Sequence, residues 1–435
     1  MNAKQDNKSH YAWKILAVCC MIQGGVVGTI QNSCGVFYQP VCQDLVFDLS
    51  AFTLYTSLRG LAGCLTIPVA VRLLQRLELR VLLSGAVLVF SLANFLMGTF
   101  SQIWQWYVAA IVQGIASSFL AFVTTPLLLG RWFYKKLGLA IGLSSAFSGM
   151  FGIVANPFGS WVIEIWGWRS AYFILSVVCF ALVFPFTALV VRRSPQEVGL
   201  ERFGEGEGLE KQLPHSAQGT EISRVHPLVC FGLIIFLQMV SMVTMGFIQL
   251  LPAFGTSQGF TGVMAASLSS LAMAGNTTGK FILGAESDRF GIRPVSFISF
   301  SLPLVGFALL LIGDDASYPA AFLVGTTMPA AMVVMPILIQ NVYGVLRYER
   351  AYTIANVLGN LVWAVSTPFF SLLFERHGNF RGAIACSLLL LCGALVVLHL
   401  AFPSREAKKG TTGGREGHFS DRRKHKYYLL ERLRK

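Results

Sequence analysis

Hydrophobic residues along this chain gather into twelve long blocks separated by short polar segments. The blocks run near 13–40, 51–74, 79–99, 103–130, 136–163, 168–191, 227–254, 262–286, 294–313, 318–346, 350–374 and 381–402. A bilayer core about 30 Å thick is crossed by about 20 apolar residues in an α-helix, and every block reaches that length. The pattern predicts an all-α membrane protein of twelve transmembrane helices. Between the sixth and seventh blocks lies ERFGEGEGLEKQLPHSAQGTEISR, rich in Gly, Glu and polar residues, which reads as a flexible linker. It divides the chain into a six-helix bundle over 1–193, a linker over 194–226, a second six-helix bundle over 227–403 and a basic tail over 404–435. The N-terminal MNAKQDNKSHYAWK runs straight into the first block with no small-residue cleavage site, so that block is expected to be a retained helix.

Composition agrees with the pattern. Of the 435 residues 54% are hydrophobic and 13% charged, against about 25% charged in a soluble domain. The net charge of +13 would suggest nucleic acid only if its location were ignored. Twenty-nine of the 34 Lys and Arg fall in alternate loops and the two ends; three (Arg169, Arg376, Arg381) fall in the opposite loops. This asymmetry predicts both termini in the cytoplasm of a cell that carries the protein in its plasma or inner membrane. The partners it implies are a lipid bilayer and a small solute, not nucleic acid. The nine cysteines lie in or beside apolar blocks and form no C-x-x-C pair, so they read as small hydrophobic fillers. No metal or cofactor is expected. No nucleophile with its base, metal cluster or nucleotide loop stands out, so no enzyme is expected either. The tail, ending SDRRKHKYYLLERLRK, reads as a solvated segment near anionic headgroups.

Two cations remain inside blocks, Arg59 and Lys280. An ionisable group at membrane depth is costly, faces a protein interior or a water-filled cavity, and is a functional candidate by default. Lys280 lies eight residues from Asp288, roughly 12 Å along a helix, in a stretch from about Gly262 to Ala285 otherwise free of formal charge. A fixed positive charge near the midplane between two bundles points to an anion. Asn276 lies one turn away on the same face. Asn356 and Asn360 repeat that spacing in the eleventh block, Gln31 and Asn32 lie in the first, and Gln238 is mid-block in the seventh. Each reads as a substrate ligand or as a polar bond between helices.

Two six-helix halves joined by a central linker resemble the major facilitator superfamily, and the motifs strengthen the resemblance. Gly284-Ala285-Glu286-Ser287-Asp288-Arg289-Phe290-Gly291-Ile292-Arg293 looks like that superfamily's G-x-x-x-D-R-x-G-x-R loop. The resemblance implies a gating role for Gly284, Asp288, Arg289, Gly291 and Arg293: a Gly turn between two helices and a charge relay that locks one transport state. The equivalent loop, Val71 to Arg80, keeps its basic residues but lacks the Gly and Asp. Arg131-Trp132-Phe133-Tyr134-Lys135-Lys136-Leu137-Gly138-Leu139-Ala140-Ile141-Gly142 resembles the oxalate/formate antiporter and monocarboxylate transporter branch, as do Gly167-Trp168-Arg169 and Arg193-Ser194-Pro195-Gln196-Glu197-Val198-Gly199-Leu200. Its aromatics and lysines are expected to anchor the cytoplasmic interface, and Ala140, Gly142, Gly149 and Gly152 to let helices approach closely.

In the monocarboxylate carriers span eight holds an Asp and an Arg one turn apart. The resemblance places Asn276 and Lys280 at those positions, so the cation survives and the acid does not. The antiporter type holds cations in spans eight and eleven; span eleven here has none, which leaves Arg59 as the other candidate. The expected function is alternating-access transport of a small organic anion, a mono- or dicarboxylate, by antiport or proton symport, with a monomer as the unit. A transporter-like receptor and a carrier for a different small polar solute are the alternatives.

Overall fold

The computed structural model of the chain describes residues 2–122, 124–133, 136–204 and 227–401. Residues 205–226 of the linker and the tail from 402 onward lie outside the described residues. The apolar blocks are helices. The first bundle contains α1 (Tyr11–Leu45), α2 (Leu49–Arg76), α3 (Leu79–Met97), α4 (Ile103–Trp132), α5 (137–166) and α6 (168–190). The second contains α7 (Val229–Ser257), α8 (Gly262–Phe290), α9 (Ile292–Leu310), α10 (Asp314–Tyr343), α11 (Arg350–His377) and α12 (Arg381–Ala401). Helices α5 and α6 are one apolar run broken at Gly167, where φ is 79°. Helix α8 is less apolar than its neighbours, because Asn276, Lys280 and the Glu286–Arg289 end fall within it.

The backbone departs from α-helix at related places. It widens into π-helix over Gln23–Gln31 in α1, 118–122 in α4 and 330–334 in α10, and tightens into a 3₁₀ turn at Ile248–Leu250 in α7. These are the first and fourth helices of each bundle. Irregular backbone at membrane depth persists where it is buried in protein or lines a cavity, and π-bulges concentrate at functional sites. The spacing marks α1, α4, α7 and α10 as helices around the central path. A π-helical segment over 186–190 in α6 falls outside this series.

In lipid, helices associate through close packing and interhelical hydrogen bonds rather than through a hydrophobic drive. The two bundles meet along three seams. Ser50 N and Oγ of α2 donate to the Glu375 carboxylate of α11 at 2.6 and 2.7 Å, and Thr53 Oγ1 donates to Ser371 Oγ at 3.2 Å. Val263 N of α8 donates to Glu164 of α5 at 3.0 Å, and Ser270 Oγ donates to Ile153 O at 2.9 Å. Gln249 of α7 accepts from Tyr38 of α1 at 2.8 Å, and Thr256 bonds Gln39. All of these lie on the side opposite the termini. These bonds seal the far side of the structure.

The signature loops fold for identifiable reasons. Gly291, between α8 and α9, has φ 82° and ψ 163°, a region open essentially to glycine alone. Its counterpart in the first bundle, Glu78, has φ −66° and ψ 118°, so that turn has no need of glycine. Arg193 takes over there: its Nη2 donates to Leu74 O at 2.8 Å and Leu77 O at 3.3 Å, capping the end of α2. Gly291→Ala is expected to destabilise the fold by about 2 kcal/mol, read as a lower melting temperature in detergent; an unchanged value would show that the turn relaxes freely.

The expected interfacial role of the aromatic pair after α4 is corrected. Trp132 and Phe133 are 1% and 2% exposed. Trp132 stacks on Tyr11 and donates from Nε1 to Arg192 O at 3.2 Å, while Phe133 packs on Trp13 and Phe203. The pair fastens α1, α4 and the start of the linker together, because indole and phenyl surface is better buried against protein than left at the headgroups.

Candidate functional site

The site grows from the α5–α8 seam. A Cβ on Gly149 would overlap Thr277 Oγ1, and one on Gly152 would lie 2.9 Å from Met273 Cγ. Without those methyl groups α8 settles directly on α5. A Cβ on Gly142, by contrast, would meet nothing within 4 Å, so of the three glycines the close packing belongs to Gly149 and Gly152. The approach leaves Lys280 half-buried with its Nζ 3.4 Å from Ser145 O. One turn along α5, Ser148 O accepts from Asn32 Nδ2 of α1 at 3.1 Å. Backbone carbonyls of α5 thus hold Lys280 from one side and Asn32 from another.

Above Lys280, Asn276 is 1% exposed and its Oδ1 has no hydrogen-bond partner; Thr277 Oγ1 also has none. Buried polar atoms are almost always paired, and these two exceptions lie within one turn of a cation. No Asp or Glu forms an ion pair with Lys280 among the described residues. The ammonium offers three donors, and the Ser145 carbonyl occupies one at a distance near the limit for a hydrogen bond.

The other predicted ligands are distributed differently. Gln31 is buried near Asn32 on α1, and its carbonyl accepts from Cys34 Sγ at 3.0 Å. Gln238 is 1% exposed with neither side-chain atom partnered. It lies against Gly359 of α11, where an added Cβ would sit 3.0 Å from its Cγ. Asn356 and Asn360 bond each other: Asn360 Nδ2 donates to Asn356 O at 2.8 Å and to Oδ1 at 3.2 Å. These three lie on α7 and α11, and among the described residues no hydrogen bond joins them to Lys280. Arg59 lies ten residues along α2 from Leu49, about 15 Å from the far end, whereas Lys280 lies eighteen residues along α8 from Gly262, about 27 Å. Arg59 faces the interior of the first bundle and does not share the Lys280 site.

Of the gating residues, Gly291 makes the turn, Gly284 lies where an added Cβ would just meet Val333 of α10 at 3.8 Å, Arg289 is exposed over the Phe290 ring and Arg293 is half-buried. The side chain of Asp288 lies outside the described residues. Sequence reasoning missed Cys34, Tyr38 and Gln249. Cys34 is more than an apolar filler: its Sγ donates to Gln249 Oε1 at 2.7 Å, beside the Tyr38 bond, and one amide oxygen so joins α1 to α7 on the far side.

A family model described as Major Facilitator Superfamily matches residues 20–367. The chain belongs to the major facilitator superfamily. It is a membrane transport protein and not an enzyme. Its sequence relatives include the "Probable transporter MCH2" of Saccharomyces cerevisiae, 27% identical over 254 residues that span 56% of this chain and 50% of that protein. Another is "Monocarboxylate transporter 12" of Mus musculus, 23% identical over 335 residues, 70% of this chain and 67% of that one. The matched segment thus spans half to two thirds of these relatives, which agree with the branch that Arg131 to Gly142 resembles. Among solved structures, the nucleoside transporter NupG superposes with a TM-score of 0.64 over 89% of this chain and 98% of its own, at 14% identity. A bacterial homolog of the human lysosomal transporter Spinster, described as inward-facing and unoccupied, gives 0.60 over 91% and 95%, also at 14%. At that identity the likeness shows the fold alone.

Proposed function

We propose that this chain carries a small organic anion, a mono- or dicarboxylate, by alternating access, and that Lys280 binds the carboxylate. One observation carries the proposal: a half-buried ammonium with one distant carbonyl partner lies beside the orphaned Asn276 Oδ1 and Thr277 Oγ1. A carboxylate would take the free donors of Lys280, and hydroxyl or amide groups elsewhere on the solute would meet Asn276 and Thr277. The names of the monocarboxylate relatives support the same chemistry. With both termini in the cytoplasm, as the loop charges favour, the far-side seal is that of an inward-facing state. Asp288, Arg289 and Arg293 would then belong to the opposite, outward-open state's lock.

The test is uptake into vesicles holding the purified protein. Labelled short mono- and dicarboxylates are expected to accumulate and compete with one another, whereas the matching neutral amides neither enter nor compete. Transport of a neutral solute unaffected by carboxylates would overturn the proposal.

Rocking of the bundles must break the Gln249 bonds to Cys34 and Tyr38. Gln249→Ala removes the shared acceptor, a loss of about 1.4 kcal/mol, or about tenfold in the equilibrium between sealed and open states. Cys34, now 4% exposed, is expected to react about ten times faster with a membrane-impermeant thiol reagent added from the far side. An unchanged rate would assign the seal to the other two seams.

A further inference from the structure

Arg59 is 4% exposed inside the first bundle, and no ion pair joins it to an Asp or Glu among the described residues. Its guanidinium carries five N–H donors. Its neighbours are Cys34 Sγ, 3.9 Å from Nη2, and the face of the Tyr55 ring, 5.9 Å away. Cys34 Sγ itself lies 3.0 Å from Gln31 O and 2.7 Å from Gln249 Oε1, two oxygens that repel negative charge at that sulfur. Arg59 Nη2 donates to that thiol sulfur, but a buried charge without an acidic partner is among the most costly features a protein can hold.

Space for a counter-ion exists. A small cavity lies between Arg59, Cys34, Tyr55, Asn94, Gln113 and Tyr172, large enough for one water-sized sphere. Gln113 Oε1 is buried there without a hydrogen-bond partner, and the Tyr172 hydroxyl, within reach of Trp106 and Tyr55, has no acceptor for its own proton. Behind them Gln113 Nε2 donates to Asn94 Oδ1 at 3.1 Å, and Asn94 Nδ2 to Ser176 Oγ at 2.9 Å. The chain can run in the reverse sense, with Ser176 donating to Asn94, Asn94 donating to Gln113 and Gln113 Nε2 turned into the cavity, at the cost of the Ser176 Oγ bond to Tyr172 O at 2.6 Å and of the Gln113 Nε2 contact with Met97 Sδ at 3.8 Å. Arg59, Tyr172 and Gln113 then present donors to one point.

We propose that this cavity is a resident site for a single chloride-sized inorganic anion, the counter-ion of Arg59, distinct from the Lys280 site. A neutral water would satisfy the hydroxyl and the amide but leave the guanidinium uncompensated, and a monatomic anion is the most compact group that supplies the charge. Such an anion would bind α1, α2, α3, α4 and α6 around one charge and stabilise the first bundle whether or not a solute is carried. It does not depend on what the protein transports.

The test uses the full chain, purified in detergent and dialysed into potassium gluconate. Chloride is then titrated against gluconate at constant ionic strength while the melting temperature is followed. The expected result is a saturable rise of several degrees, reproduced by bromide and not by acetate. Arg59→Gln should abolish the dependence. Should Arg59→Gln fail to fold, Tyr172→Phe keeps the cation and loses one donor, and should shift the half-saturating chloride concentration upward about tenfold. A flat response of the wild-type protein, an equal response to acetate, or an unaltered chloride response in both variants would overturn the proposal. None of these outcomes bears on carboxylate uptake, whose failure would leave the halide response intact.

Discussion

Lys280→Met is expected to lower carboxylate uptake about a hundredfold while leaving the protein folded. A hydrogen bond to a charged group contributes about 1.5–3 kcal/mol, and about 3 kcal/mol corresponds to a little over a hundredfold in affinity. The thioether matches much of the volume of the lysine stem but carries no charge and no donor. Stability should change little, because the side chain's one bond within the protein is the 3.4 Å contact with Ser145 O, and removing a cation from an apolar surrounding offsets that loss. Lys280→Arg should retain part of the activity, since charge persists while the planar guanidinium cannot reproduce a compact ammonium. The measurement is initial uptake per folded transporter, with the melting temperature and a monodisperse elution profile as controls. Uptake at the wild-type rate by a well-folded Lys280→Met protein would show that the anion binds elsewhere.

The architecture was legible for physical reasons. Helix positions follow from where apolar runs are long enough to cross lipid, and each of the twelve expected blocks has its helix. The break at Gly167 was visible because the polar Gly167-Trp168-Arg169 step interrupts an otherwise continuous run. Lys280 stood out as a charge in an apolar helix. Its surroundings did not, because Ser145 O and Ser148 O are backbone atoms and carry no side-chain signal. Gly149 and Gly152 were the one trace of the α5 partner, as small residues that permit contact. Arg59 was equally conspicuous, yet its cavity is assembled from α1, α2, α3, α4 and α6, and no spacing within one helix records that convergence. Gln249 and Cys34 were passed over because a thiol and an amide near span ends look ordinary until the bundles close around them. Trp132 and Phe133 misled in the opposite sense: aromatics near a membrane surface suggest headgroups, but three neighbouring segments cover them.

Obligatory exchange is the other large effect expected. Lys280 has no acidic partner among the described residues, and the acid that the monocarboxylate carriers place one turn away is replaced here by Asn276. An empty carrier must therefore pass through its closed intermediate with an unpaired ammonium away from water. Leaving a buried charge uncompensated costs about 3 kcal/mol or more, and a barrier higher by that amount slows the return of the empty carrier about a hundredfold. A bound carboxylate neutralises the ammonium and restores the rate, so net movement becomes slow and one-for-one exchange fast. Vesicles preloaded with unlabelled substrate are expected to take up labelled substrate far faster than empty vesicles, and a proton gradient alone should add little. Asn276→Asp should reverse the preference, because an acid one turn from Lys280 supplies an internal counter-ion and lets the empty carrier return. That variant is expected to show faster uptake into empty vesicles and a reduced advantage from preloading. Concentrative uptake by the wild-type protein into empty vesicles, driven by an inward proton gradient alone, would exclude exchange and require that a proton travel with the substrate or on Lys280 itself.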